Sequence, residues 1–232
     1  MPRKPRIFIP NQPLHLVVRG HSRQPIVARK CDYQTFVDYL RKASNKYSLQ
    51  IHAWVLMTNH LHLLVTPNNA ESLPRTMQWL GRNYARYFNL CYKRSGSIWE
   101  GRYKTSFIDT ERYLLTCHCY IEMNPVRANM VELPEQYPWS SHRHNAFGKN
   151  DYLTTTHPIL LAMSKNPEER INHYRNLFKE ELSRKTLTQF RRGASKGKAV
   201  GNPEFILNIA KMERDRKETG VRVKLESYLQ CN

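Results

Sequence analysis

The chain has 232 residues, 40% of them hydrophobic, and a formal net charge of +18. That length suits one ordinary domain with an appendage, or two small ones, with enough apolar material for a packed core. Solubility alone does not require so large a basic excess; a polyanionic partner does, and nucleic acid is the commonest.

In chain order, residues 14–19 (Leu-His-Leu-Val-Val-Arg) read as a strand ended by Gly20. Residues 32–47 read as a helix with Asp32 as N-cap and Phe36, Val37, Leu40 and Ala43 at helical spacing. Residues 49–57 alternate, placing Ile51, Ala53, Val55 and Met57 on one face and His52, Trp54 and Leu56 on the other. A turn at Thr58-Asn59 leads into a second strand over 60–66, so a hairpin is expected. A helix over 71–92, a loop holding Gly96 and Gly101, a short strand within 103–109 and a helix over 111–123 follow. The last ends before Pro125, because the residue preceding a proline avoids helical geometry. The spacing lacks the regular βαβ repeat of a doubly wound fold. It points to an α+β domain over 1–148, an antiparallel sheet with helices on one side. A mostly helical, basic C-terminal extension is expected after it. Residues 149–182 form its first helical part. Residues 183–202 hold six Lys/Arg, three Gly and no acid, which suggests a flexible basic linker. Residues 203–232 form a helical segment, with Phe205, Ile206, Ile209 and Met212 as its apolar side and DNA binding as its candidate role.

Five cysteines, Cys31, Cys91, Cys117, Cys119 and Cys231, odd in number and with no C-x-x-C pair, speak against a disulfide framework or a zinc ribbon. The basic opening is followed by no apolar run, and no stretch suffices to span a bilayer. A cytoplasmic, nucleoid-associated protein with no membrane partner is expected.

Three features carry chemistry. His60 and His62 lie at i and i+2 on a strand, so both imidazoles leave one face while Leu61 and Leu63 enter the core from the other. Two such imidazoles can share a divalent cation; without further context, two histidines on a half-exposed strand are more often plain polar surface. Tyr120 and Asn124 stack one turn apart on a helix, with Tyr113 and Cys117 on the same face. That pairing suits a nucleophile and a third metal ligand, or else a tyrosine lying on the sheet and an asparagine capping a helix end. Along 71–92, Arg75, Arg82, Arg86 and Lys93 form one stripe with Trp79, opposite Leu73, Met77, Leu80, Tyr84, Phe88 and Cys91. Cations beside an exposed indole are what single-stranded nucleic acid uses; a solvated charged face is the alternative.

These residues resemble a known family. Thr58-Asn59-His60-Leu61-His62-Leu63-Leu64-Val65 is similar to the HUH motif of single-tyrosine transposases, and Tyr120-Ile121-Glu122-Met123-Asn124-Pro125-Val126-Arg127-Ala128 to their tyrosine helix. The form of the second motif most resembles the REP-associated tyrosine transposases of bacteria. Ile98-Trp99-Glu100-Gly101-Arg102-Tyr103-Lys104 and the opening His15…Arg19-Gly20 also resemble members of that group. The resemblance spans about 10–145 and implies a ferredoxin-like catalytic domain. It implies a metal site of His60, His62 and Asn124 holding Mg²⁺ or Mn²⁺, although insertion-sequence relatives carry Gln where this chain has Asn124. It also implies cleavage of single-stranded DNA near a hairpin by Tyr120, through a 5′-phosphotyrosine that can rejoin ends. The expected DNA contacts are Arg75, Trp79, Arg82, Arg86, Lys93, Arg102, Lys104 and Arg127, and a monomer is expected ahead of a homodimer. A non-catalytic sequence-specific DNA-binding protein is the first alternative; a hydrolase using water as nucleophile is the second.

Overall fold

The computed structural model describes residues 9–109 and 112–219, the side chains of 216–219 excepted. The basic N-terminus, Cys231 and the end of the 203–232 segment lie outside the described residues. Strand β1 (Leu14–Arg19), helix α1 (Lys30–Lys46), strands β2 (Leu49–Leu56) and β3 (His60–Pro67), helix α2 (Ser72–Cys91) and strand β4 (Lys104–Phe107) follow in βαββαβ order. The strands form one sheet in the order β2-β3-β1-β4, with every neighbouring pair antiparallel. This is the ferredoxin-like α+β arrangement.

Strand alternation gives the sheet two different faces. Leu14, Leu16 and Val18 of β1 and Leu61, Leu63 and Val65 of β3 point to one side, where Phe36 and Leu40 of α1 and Leu73, Leu80 and Tyr84 of α2 meet them. Each such side chain, fully buried, contributes about 1.5–3 kcal/mol. His15, Val17 and Arg19, with His60, His62 and Leu64, point to the other side. Strand β2 departs from the simple alternation. A register shift between Ile51 and Ala53 interrupts the pairing with β3, and a bulge of this kind re-aims the side chains on either side of it. Ile51 consequently joins Trp54 and Leu56 in the α1–α2 core, while Ala53, Val55 and Met57 serve the opposite one. Asp32 is not the N-cap, since α1 begins two residues earlier. Its carboxylate accepts the backbone N–H groups of Ala28 and Arg29 and the hydroxyls of Tyr87 and Tyr92, tying the start of α1 to α2.

Helices α1 and α2 occupy one side of the sheet, as expected. The opposite side is covered as well, by α3 (Arg112–Glu122), whose Leu114, Cys117 and Ile121 pack on Ala53, Val55 and Leu64. Beyond α3 come α4 (Asn124–Arg127), α5 (His142–Phe147), α6 (Pro158–Met163), α7 (Pro167–Asn176), α8 (Arg184–Lys196) and α9 (Pro203–Thr219). Glu122, fully buried at the end of α3, joins that helix to two of these. It accepts hydrogen bonds from Ser141, just before α5, from His142 and Asn145 of α5, and from Tyr174 of α7. Burial pushes its carboxyl up, and the hydrogen bond and charge of His142 outweigh that and hold it below the usual range.

The expected flexible linker at 183–202 is for most of its length a helix. The Ser183 hydroxyl accepts the Thr186 N–H and starts α8. Leu187, Phe190 and Ala194 then recur at i, i+3 and i+7 on the face turned inward, with Phe190 and Ala194 buried. Gly193 lets α8 approach closely, because a Cβ there would stand 2.7 Å from Val200. Ile209 and Met212 of α9 belong to the α1–α2 core. The extension thus shares both cores with the first 148 residues. Among the described residues no helix is long and apolar enough to cross a membrane.

Candidate active site

The turn before β3 orients the first histidine. Asn59 donates its amide N–H to the Arg23 carbonyl at 3.0 Å, which leaves its oxygen to accept from His60 Nδ1 at 2.6 Å. That assignment puts the proton on Nδ1 and leaves the Nε2 lone pair of His60 for a cation. Burial, with Arg19 adding to it, pushes His60 down to about 4. Burial, then the neighbouring His15 and His60, hold His62 well below the usual range. Both imidazoles are therefore neutral near pH 7, the form that ligates metals. Their rings lie 5.0 Å apart at 77°.

Behind His62 stands His15, which sequence reasoning met only inside a motif and gave no role. It is fully buried, its Nε2 is 2.8 Å from His62 Nδ1, and the two rings stack at 5.1 Å. The tautomer in which His62 Nδ1–H donates to His15 leaves Nε2 of His62 free. His15 is thus placed to set the orientation of a ligand, as outer partners of metal-bound histidines do. The signal was present in β1, where a histidine interrupts the run of Leu and Val that precedes Arg19.

Tyr120 lies on the same face of the sheet, edge-on to His15 at 5.6 Å and to His62 at 6.0 Å. Its other side is closed. Phe190 of α8 stacks on it at 5.0 Å and 18°, and Tyr120 is only 4% exposed. The Arg127 guanidinium lies 4.7 Å from the ring centre and donates to the Tyr120 carbonyl. Burial pushes the Tyr120 hydroxyl up; Arg127, Arg191 and Arg19 pull against it. Asn124 donates Nδ2 to the carbonyls of Tyr120 and Ile121 at 2.9 and 3.0 Å, which leaves its amide oxygen as the atom to face a cation. Tyr113 packs on the same cluster without a ring contact to either histidine among the described residues.

Among the described residues no group of three or more His, Cys, Asp or Glu is placed to hold a metal ion. Two neutral imidazoles, and separately the amide oxygen that Asn124 leaves unused, are donors of the kind that suits a divalent cation keeping positions for water and phosphate oxygens.

The expected DNA contacts divide. Arg82 and Arg86 are exposed on α2, and Arg75 pairs with Glu71 at 2.8 Å, all on the sheet side away from the histidines. Lys93 lies past the end of α2 with φ 49°, so helical spacing does not align it with the stripe. Trp79 is half-buried and packs edge-on against Tyr39 of α1 at 5.7 Å; a helix–helix contact accounts for it. Arg127 faces Tyr120. Arg102 and Lys104 are exposed at the sheet edge, and Lys104 pairs with Val17, in the same row as His62. The structure brings these two to the histidine side and leaves the stripe on the other.

Residues 9–124 match the model of the IS200-like transposase family. The chain belongs to that family. The matched span ends on Asn124 and so contains His15, His60, His62 and Tyr120. Among solved structures, this IS200-like transposase is similar to a REP-associated tyrosine transposase described as bound to a REP hairpin. Identity is 22%, the TM-score 0.52, and the match covers 68% of this chain and 93% of that one; the likeness is one of fold. A candidate transposase from Deinococcus radiodurans R1 is 18% identical over 58% of this chain and 97% of its own, with a TM-score of 0.36, too low to carry an argument. No curated protein matches the sequence.

Proposed function

We propose that this IS200-like transposase is a metal-dependent single-stranded DNA endonuclease and strand transferase, with Tyr120 as its nucleophile and a hairpin-forming strand as its substrate. One observation carries the reading: a buried tyrosine lies edge-on to a stacked pair of neutral histidines on one sheet face. A Mg²⁺ or Mn²⁺ ion, held by His60, His62 and Asn124, would polarise the phosphoryl oxygens and offset charge in the transition state. Everything else falls to the chain. Arg127 clamps the tyrosine ring and, with Arg19 and Arg191, works against the burial that keeps the hydroxyl protonated. The phenolic proton passes to solvent water, Tyr120 Oη bonds to phosphorus, the P–O3′ bond breaks, and the departing 3′-oxygen takes up a proton from solvent. A 5′-phosphotyrosine remains. It keeps the energy of the phosphodiester, so a later 3′-hydroxyl can attack it and join new ends.

Phe190 covers one face of the Tyr120 ring and the residue is 4% exposed, so a DNA strand gains room beside the tyrosine when α8 yields. That same cover favours a second reading, a DNA-binding protein that does not cut. End-labelled hairpin DNA with single-stranded flanks, incubated with Mn²⁺ and run on a denaturing gel, separates the two. Cleavage predicts a shortened strand and a slow protein–DNA band, both lost on chelation. Binding without either product supports the second reading and overturns the first.

A further inference from the structure

Two cavities meet at Arg102. The smaller, about 200 Å³, opens on the histidine side of the sheet. Arg19, Arg102 and Lys104 line it, with Glu100 and, from α8, Ser195. The larger, about 480 Å³, lies between α2 and the loop that leads into β4. Arg102 lines both.

The larger cavity has a definite chemical character. Its floor is apolar, from Val18, Met77 and Leu80. Trp99 and Tyr103 supply aromatic walls, Gln78, Arg82 and Arg102 supply polar and cationic groups, and no acidic residue lines it. Trp99 is pinned: its indole N–H donates to the Gly81 carbonyl at 3.0 Å, and Phe36 and Tyr84 contact it from the core at 6.4 and 6.3 Å between ring centres. A fixed aromatic face over an apolar floor, flanked by an amide and two guanidinium groups, matches a nucleobase, which has apolar faces and a polar edge on a phosphate backbone.

We propose that this cavity is a pocket for one unpaired base of the DNA strand, and that the smaller cavity carries the phosphates linking that base to Tyr120. Arg102, common to both, bridges them at the sheet edge. The pocket deepens the DNA-cleaving reading and rests on it for its substrate. It also replaces Trp79 by Trp99 as the aromatic that meets DNA, and singles out Arg82 from the α2 stripe as the cation that lines the pocket.

The test uses the full chain, a blunt DNA hairpin, and the same hairpin with a single-stranded flank carrying 2-aminopurine at each position in turn. Gly81→Leu plugs the cavity with an aliphatic group, since a Cβ there meets Trp99 at an ordinary 3.5 Å. Arg82→Ala removes a cation without filling it. Neither residue touches Tyr120 or the histidines. The wild type should quench 2-aminopurine at one flank position. Gly81→Leu should abolish that quenching, both variants should weaken the flanked hairpin, Gly81→Leu by about tenfold or more, and the blunt hairpin should bind them all alike. Quenching at no single position, or equal weakening of both hairpins, overturns the pocket. Adduct formation scored in the same samples keeps the two ideas apart. An adduct without quenching removes the pocket alone, and quenching without an adduct removes the cleavage reading alone. A wild type that binds neither hairpin removes both.

Discussion

The two faces of the sheet use the same strands for different ends. Along β1, Leu14, Leu16 and Val18 point one way and His15, Val17 and Arg19 the other; along β3, Leu61, Leu63 and Val65 oppose His60, His62 and Leu64. The first set closes an apolar core against α1 and α2. The second places three histidines, which burial keeps neutral, under α3 and α8, beside the exposed Arg19. Burying a polar group costs free energy unless it is bonded, and one such cost is visible, for among the described residues His15 Nδ1 has no hydrogen-bond partner. One face is thus given wholly to packing, while the other combines a second apolar core with the histidines; on the proposed reading, substitutions one residue apart should separate stability from cleavage.

The sharpest separation is between His62 and Leu63. His62→Ala should abolish DNA cleavage, and should lower the melting transition less than Leu63→Ala does. Leu63→Ala should cost about 2–5 kcal/mol of stability while the folded fraction still cleaves. Denaturant unfolding and a cleavage assay on both variants decide it; a His62→Ala protein that nicks DNA at the wild-type rate breaks the comparison. Next in size is His15. Without its support, His62 loses its orienting partner, so His15→Ala should weaken Mn²⁺ affinity about 10–100-fold, measurable by calorimetry. Unchanged affinity would reduce His15 to packing. Phe190→Ala sharpens the contrast from the other direction. It removes the ring stacked on Tyr120 and should raise the rate of adduct formation several-fold while lowering stability. A slower rate at full folding would mean that Phe190 positions the tyrosine rather than covers it.

The smallest effect is a pH dependence away from the metal ligands. Burial, chiefly, holds His52 near 3 and His118 near 4, against an ordinary 6.5. Below about 6.5 the unfolded chain binds protons that the fold refuses, so this contribution is complete above that pH and declines as the pH falls towards the folded values. The metal-free protein should melt progressively lower from about pH 7 to about pH 5, and His52→Gln should flatten the slope. A flat profile in the wild type would show these histidines to be solvated.

Much of this was legible because it is local. Strand alternation and helical spacing locate the βαββαβ core, and His60, His62 and Tyr120 sit where i, i+2 spacing and one helix face put them. What was not legible depends on partners distant in sequence. Trp79 reads as exposed until Tyr39, on another helix, is seen against it. The shift between Ile51 and Ala53 leaves no mark on composition. Helix α8 was hidden by its cations: only Leu187, Phe190 and Ala194 carry its inward face, too few to outweigh six Lys/Arg and three Gly across 183–202. The period of three and then four was nevertheless there to be read.

The central claim is that Tyr120 forms the covalent bond to DNA. Wild type, Tyr120→Phe and Tyr113→Phe should each be incubated with hairpin DNA and Mn²⁺, digested, and searched by mass spectrometry for a nucleotide-bearing peptide. The account predicts the nucleotide on Tyr120 in the wild type and in Tyr113→Phe, and no adduct in Tyr120→Phe. A nucleotide on Tyr113, or cleavage by Tyr120→Phe at the wild-type rate, would contradict it.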